Sequence, residues 1–133
     1  MKVILDACAV IAFFRNEPGA EVVEEYLSHP QSNGLIHGIN MCEVYYDFLR
    51  FGGQDIATQI IQDSQAIMEI RDDFGVDFWQ QAGAYKATIK RISLADCFAL
   101  TLANREQGIL LTSDRKEFEP VEPLNICQIQ FIR

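Results

Sequence analysis

The sequence predicts an α/β fold, a mainly parallel central sheet with helices on both of its faces. Two observations carry that expectation. Val3-Ile4-Leu5 and the stretch ILLTS at 109–113 are short, largely apolar runs, the pattern of strands buried on both faces. Segments of strand character also alternate with segments of helical period along the whole chain, and that alternation is how parallel crossovers are built.

Val3-Ile4-Leu5 is the first strand, and Ala7 to Phe14 reads as a helix that follows it directly. Pro18-Gly19 interrupts the chain, after which AEVVEEYLSHP places Val22, Val23, Tyr26 and Leu27 on one side of a second helix ending before Pro30. GLIHGI is expected to be the second strand. NMCEVYYDFLRFGG then reads as a helix with Asn40 as its N-cap and Gly52-Gly53 closing it. An amphipathic helix from Ile56 to about Ala66 follows, with AIMEI as a short strand behind it. DFWQQAGAYKATIK and SLADCFALTLANREQ are two more helices, the second capped by Ser93 and ended at Gly108. ILLTS is a buried strand, and the alternating CQIQFI suits an edge strand.

With 133 residues, 49% of them hydrophobic, the chain is expected to form one domain over 1–133. A chain of this size buries about two thirds of its unfolded surface and needs no staples. Cys8, Cys42, Cys97 and Cys127 share no metal-site spacing and sit in apolar segments, so they read as small core residues in a reducing compartment. No apolar run approaches the ~20 residues of a membrane helix, and the N-terminus lacks the basic start and cleavage site of a signal peptide. A cytoplasmic protein without membrane association is expected. Nineteen acids against eleven bases give a net charge of −8. Such a chain attracts nucleic acid only where a cation or a local basic patch reverses the field.

The acids themselves are the informative residues. Asp6 interrupts the apolar run KVILDACAVIAFF; Glu43 lies in what is expected to be the first turn of the helix after the second strand; Asp96 lies in the first turn after Ser93; Asp114 follows ILLT. In an open parallel sheet, the carboxyl ends of strands and the starts of the helices that follow them meet along one rim, where ligands bind. Each acid also has a local explanation. Asn40-x-x-Glu43 and Ser93-x-x-Asp96 match the capping box, Asp114 can cap RKEF, and Asp6 can cap the first helix. Taken together the four carboxylates, if they converge on that rim, repel, no buried base is placed nearby by the sequence, and a hard divalent cation resolves the conflict. Oxygen-only ligands suit Mg2+ or Mn2+, ions that polarise phosphates and activate water.

Four segments, VILDACAVIAFF, INMCEVYYDFL, ISLADCFALTLA and LLTSDRKEF, resemble in order the signature segments of the PIN-domain ribonucleases. The chain as a whole most resembles the VapC-type toxins of bacterial toxin–antitoxin pairs. That resemblance implies a PIN-like three-layer α/β/α sandwich, usually a homodimer, and cleavage of RNA within the strand with Mg2+ or Mn2+. It implies Asp6, Glu43, Asp96 and Asp114 as the metal-binding acids, and Thr112 as a hydroxyl that helps hold water or phosphate, with Ser113 its substitute. It also implies a cognate antitoxin as partner.

The chain departs from that pattern at Cys8, where the family often carries a hydroxyl or amide, and a weaker hydrogen bond to the first acid is expected. Its charge requires local bases for RNA, and Lys90-Arg91 and Arg115-Lys116, adjoining Ser93 and Asp114, are the best placed. Asp47 and Glu117 read as solvent-facing acids, and Tyr46 as a packing residue. His29 and His37 pair with no nucleophile, so histidine acid–base chemistry is unsupported. No glycine-rich nucleotide loop follows any strand. The alternative to an enzyme is a PIN-like module that binds RNA or protein with weak or no catalysis.

Overall fold

A computed structural model describes residues 1–133. β1 (Lys2–Leu5) runs into α1 (Ala7–Phe14), followed by α2 (Ala20–Ser28), β2 (Asn33–His37), α3 (Gly38–Gly52), α4 (Gln54–Ile67) and β3 (Glu69–Arg71). The second half comprises α5 (Val76–Thr88), α6 (Leu94–Glu106), β4 (Ile109–Thr112), the single-turn α7 (Arg115–Phe118), a 3₁₀ turn at Glu122–Leu124, and β5 (Gln128–Phe131).

The five strands form one sheet in the order β3-β2-β1-β4-β5, and every pairing is parallel. Ile4 sits opposite Leu35 on one side and Leu110 on the other, so the central strands carry three apolar residues in register. Strand alternation then divides the core. Val3, Leu5, Ile36 and Leu111 face the layer of α1 to α4, packing with Val10, Val44 and Phe48. Ile4, Leu35 and Leu110 face the other layer, with Phe78, Phe98, Leu102 and Phe118. Both faces are covered, which is why the central strands are continuously apolar. The fold is the expected α/β/α sandwich, and its sheet is wholly parallel.

Several elements differ from the sequence reading. The second strand stops at His37, because His37 itself caps α3: its ring Nδ1 accepts the Ile39 N–H at 3.1 Å. Asn40 is therefore inside the helix, buried, and its Nδ2 donates to the Ala95 carbonyl at 3.1 Å. That bond ties α3 to the first turn of α6. With α3 beginning at Gly38, Glu43 lies in its second turn. Ala66 and Ile67 belong to α4, so the short strand begins only at Glu69. α6 ends on Gln107, which takes the left-handed conformation at φ 51°. Gly108 serves a different need, since a Cβ there would lie 2.8 Å from the Lys2 carbonyl oxygen of the neighbouring strand. Of the cysteines, Cys97 is buried but Cys42 is exposed on α3, outside the core expected for it. No helix is long and apolar enough to cross a membrane.

Candidate metal centre

Asp6 occupies the joint between β1 and α1. Its backbone N–H donates to the Leu111 carbonyl at 3.3 Å, and its Oδ1 accepts the Ala9 N–H at 2.9 Å, capping α1. The side chain is fully buried. The Cys8 thiol donates to its two oxygens, at 3.3 and 3.2 Å, and the Thr112 hydroxyl also hydrogen-bonds it. Burial pushes the Asp6 carboxyl up to about 6; the bonds from Thr112, Ala9 and Cys8 oppose that rise, and the charge of Asp114 adds to it. The capping role and the cation-binding role weighed from sequence are thus compatible, because capping takes one lone pair of one oxygen.

Thr112, buried at the end of β4, joins two acids. Its Oγ1 accepts the Asp114 N–H at 3.0 Å while the hydroxyl bonds Asp6. Asp114 caps the short α7, its Oδ1 accepting the Glu117 N–H at 2.9 Å. Ser93 caps α6 through the Asp96 N–H at 3.1 Å, which sets Asp96 at the rim. Carboxylate oxygens of Asp96, Asp114 and Glu117 lie within 4.8 Å of one another. Glu117 also accepts the Ser93 N–H at 3.4 Å and hydrogen-bonds Asp96. It belongs to the cluster, contrary to the solvent-facing reading. The signal was present in Asp114-x-x-Glu117, a spacing that turns both acids to one side of a helical turn.

The acids border a cleft of about 290 Å³ lined by Cys8, Ile11, Glu43, Tyr46, Asp47, Ser93, Asp96, Asp114 and Glu117. Asp6 lies outside the lining, buried beside Cys8. Glu43 and Asp6 stand outside the tight trio, yet the charge of Asp114 acts on Asp6 and those of Asp6 and Glu117 act on Glu43. Burial raises the Glu43 carboxyl, and the charges of Asp6 and Glu117 raise it further. Burial raises Asp96 most strongly, followed by its bond to Glu117 and the charges of Asp6, Glu117 and Glu43. Asp47 is held by Arg15 at 2.6 Å and lines the cleft beside Tyr46. None of Asp6, Glu43, Asp96, Asp114 or Glu117 forms an ion pair. A set of partly buried carboxylates without a base among them fits a hard divalent cation held through oxygen.

Residues 3–122 match the family described as PIN domain. The chain belongs to the PIN domain family. No curated protein matches the sequence significantly. This PIN domain shares its fold with VapBC2 from Rickettsia felis bound to a DNA fragment from their promoter: TM-score 0.76, 16% identity, 98% of each chain covered. VapBC-1 from nontypeable Haemophilus influenzae aligns with TM-score 0.73 and 21% identity over 99% of this chain and 98% of the other. VapC20 of Mycobacterium tuberculosis, a Sarcin-Ricin loop cleaving toxin, aligns with TM-score 0.66 and 10% identity over 81% of this chain and 86% of its own.

Proposed function

We propose that this PIN domain is a metal-dependent endoribonuclease, the toxin of a toxin–antitoxin pair. The observation that carries the reading is the convergence of Asp6, Glu43, Asp96, Asp114 and Glu117 on one rim with no base among them. Asp6, Glu43, Asp96 and Asp114 would hold Mg2+ or Mn2+, with Glu117 beside them and Thr112 orienting Asp6. When bound, the ion would polarise the scissile phosphate and acidify the attacking water.

The chain's own residues prepare that chemistry. Asp6 is fixed by three donors, so its geometry costs no reorganisation at the moment of reaction. Burial and its acidic neighbours raise the Asp96 carboxyl, so positive charge arriving at the cleft favours its ionisation. Asn40 and Ser93 keep α3 and α6 in register, so Glu43 and Asp96 face one cleft.

The likeness in fold to VapBC complexes supports a cognate antitoxin as partner, with RNA as substrate. On this reading residues 1–133 act as one domain, in the cytoplasm and as a homodimer. The test is incubation of the purified chain with structured RNA. Internal cleavage that requires Mn2+ or Mg2+ and stops with chelator is expected. Intact RNA at millimolar Mn2+, from protein shown to be folded, would leave the binding-module alternative.

A further inference from the structure

An acidic enzyme that cleaves RNA must approach phosphates, and the ion-pair pattern shows where it can. Of the eleven Lys and Arg side chains, Lys2, Arg15, Arg71, Arg115 and Arg133 are engaged with carboxylates. Lys86 and Arg105 donate to the carbonyls of Ile92 and Asp77. Only Arg50, Lys90, Arg91 and Lys116 make neither an ion pair nor a side-chain hydrogen bond, and all four are exposed. Each stands within four residues of a residue lining the carboxylate cleft: Arg50 beside Tyr46 and Asp47, Lys90 and Arg91 before Ser93, Lys116 between Asp114 and Glu117. In a chain of net charge −8, all four unpaired cations thus stand close in sequence to residues of the cleft. Arg91 moreover has φ 64°, a left-handed conformation where a residue other than Gly or Asn is strained.

One of these cations has an aromatic partner. The Arg50 guanidinium lies 5.5 Å from the centre of the Tyr46 ring, one helical turn away on α3. Tyr46 lines the cleft, is 45% exposed, and its hydroxyl makes no hydrogen bond. A half-exposed ring backed by an unpaired Arg has the components of a base-stacking platform: a π face for any base and a cation for the adjoining phosphate.

We propose that Tyr46 and Arg50 form a stacking platform for a single-stranded RNA base at the mouth of the cleft, with Lys90, Arg91 and Lys116 holding the flanking phosphates. The proposal rests on the nuclease reading and names how that site takes its substrate. Because stacking occurs away from the reacting phosphate, it supplies binding common to ground and transition states, so its loss raises KM and leaves kcat.

The test separates binding from cleavage. Fluorescence anisotropy with labelled oligouridylate in chelator reads affinity without hydrolysis. Tyr46→Ala is expected to weaken binding about tenfold and Tyr46→Phe less than about twofold, since stacking needs the ring. Arg50→Gln should reduce the slope of log K against log salt by about 0.7, the contribution of one phosphate contact on a single strand. Lys2→Ala, a cation paired with Glu106, is the control and should change neither. With Mn2+ present, Tyr46→Ala should raise KM at constant kcat. Wild-type affinity in folded Tyr46→Ala would overturn the platform, as would a wild-type chain that binds no oligouridylate. Failure of the nuclease reading is distinct: it appears as uncut RNA with the wild-type chain and Mn2+, whatever the anisotropy shows.

Discussion

Asp96 of α6 and Glu117 of α7 bring carboxylate oxygens within 4.8 Å of each other, and neither has a basic partner. Burial, followed by the neighbouring Glu117, raises the Asp96 carboxyl, so Asp96 keeps its proton at pH values where an isolated carboxylate is ionised. The like charges of Asp6 and Glu43 strengthen that retention.

A pH dependence of stability follows, and its sign is set by linkage. The folded protein keeps a proton that the unfolded chain releases at the ordinary Asp value of 3.8, so stability falls as pH rises through the raised folded value. His37 acts in the opposite direction, since burial lowers its pKa and stability is lost as pH falls below its ordinary 6.5. The buried cysteines contribute only near and above their ordinary 9.0. Between pH 6.5 and 9.0 the Asp96 carboxyl is thus the isolated contributor among these. Without metal, the melting temperature should decline across that window; millimolar Mg2+ should flatten the decline by replacing the proton. Superimposable metal-free melting curves at the two ends would count against a raised Asp96.

Asp96→Asn should abolish cleavage while the domain stays folded, because the amide keeps the volume but not the ligand charge. It should also raise the metal-free melting temperature above pH 6.5, since the amide needs no proton to be kept on folding. The stabilisation by Mn2+ should shrink, as linkage requires when affinity falls. Asp6→Asn should likewise lose activity and blunt the Mn2+ shift. A variant that cleaves at the wild-type rate would remove its residue from the site.

The sheet was legible because its central strands are buried on both sides and so carry unbroken apolar runs, and Asp6 was legible because it interrupts one. The start of α3 was not, since histidine is an uncommon cap and Asn40, a common one, stood two residues beyond the true start, tying α3 to α6 instead. Glu117 was hidden for a related reason. Its helix is one turn long, too short to show a period, so the Asp114-x-x-Glu117 spacing alone carried the signal, and the bond from Ser93 of a distant segment shows that it faces the cleft. Arg115 read as available for RNA, yet it is engaged by Glu119, by the Arg133 carbonyl and by the Phe131 ring. Tertiary partners of exposed bases leave no trace in local sequence.

His37 is structural, and its replacement should show that. Its Nδ1 caps α3, its Nε2 bonds the Asp73 carbonyl at 2.9 Å, and the ring stacks on Phe78 at 5.3 Å. His37→Ala removes a cap, a buried hydrogen bond and packed volume, a loss of about 3 kcal/mol. Urea denaturation should register that loss, while cleavage per folded molecule changes little. A fall in activity at full stability would instead assign His37 to the chemistry.

Cys8 provides the sharpest test of how Asp6 is held. Burial and the charge of Asp6 push its thiol up to about 12, so at neutral pH it is a thiol and a donor, not a thiolate. Its sulfur lies 3.2 Å from Asp6 Oδ2 and 3.8 Å from the Thr112 hydroxyl, where a serine oxygen could make a related bond over a shorter reach. Removing the donor in Cys8→Ala takes away one of the three bonds that oppose the rise of the Asp6 carboxyl above about 6. A hydrogen bond to a charged group is worth about 1.5 kcal/mol, or roughly one pKa unit. The acid limb of the cleavage profile should therefore move up by about one pH unit in Cys8→Ala, with activity recovering at alkaline pH once Asp6 ionises. Cys8→Ser should restore the wild-type profile. If alanine and wild type give the same profile, the thiol is packing and contributes nothing to the charge state of Asp6.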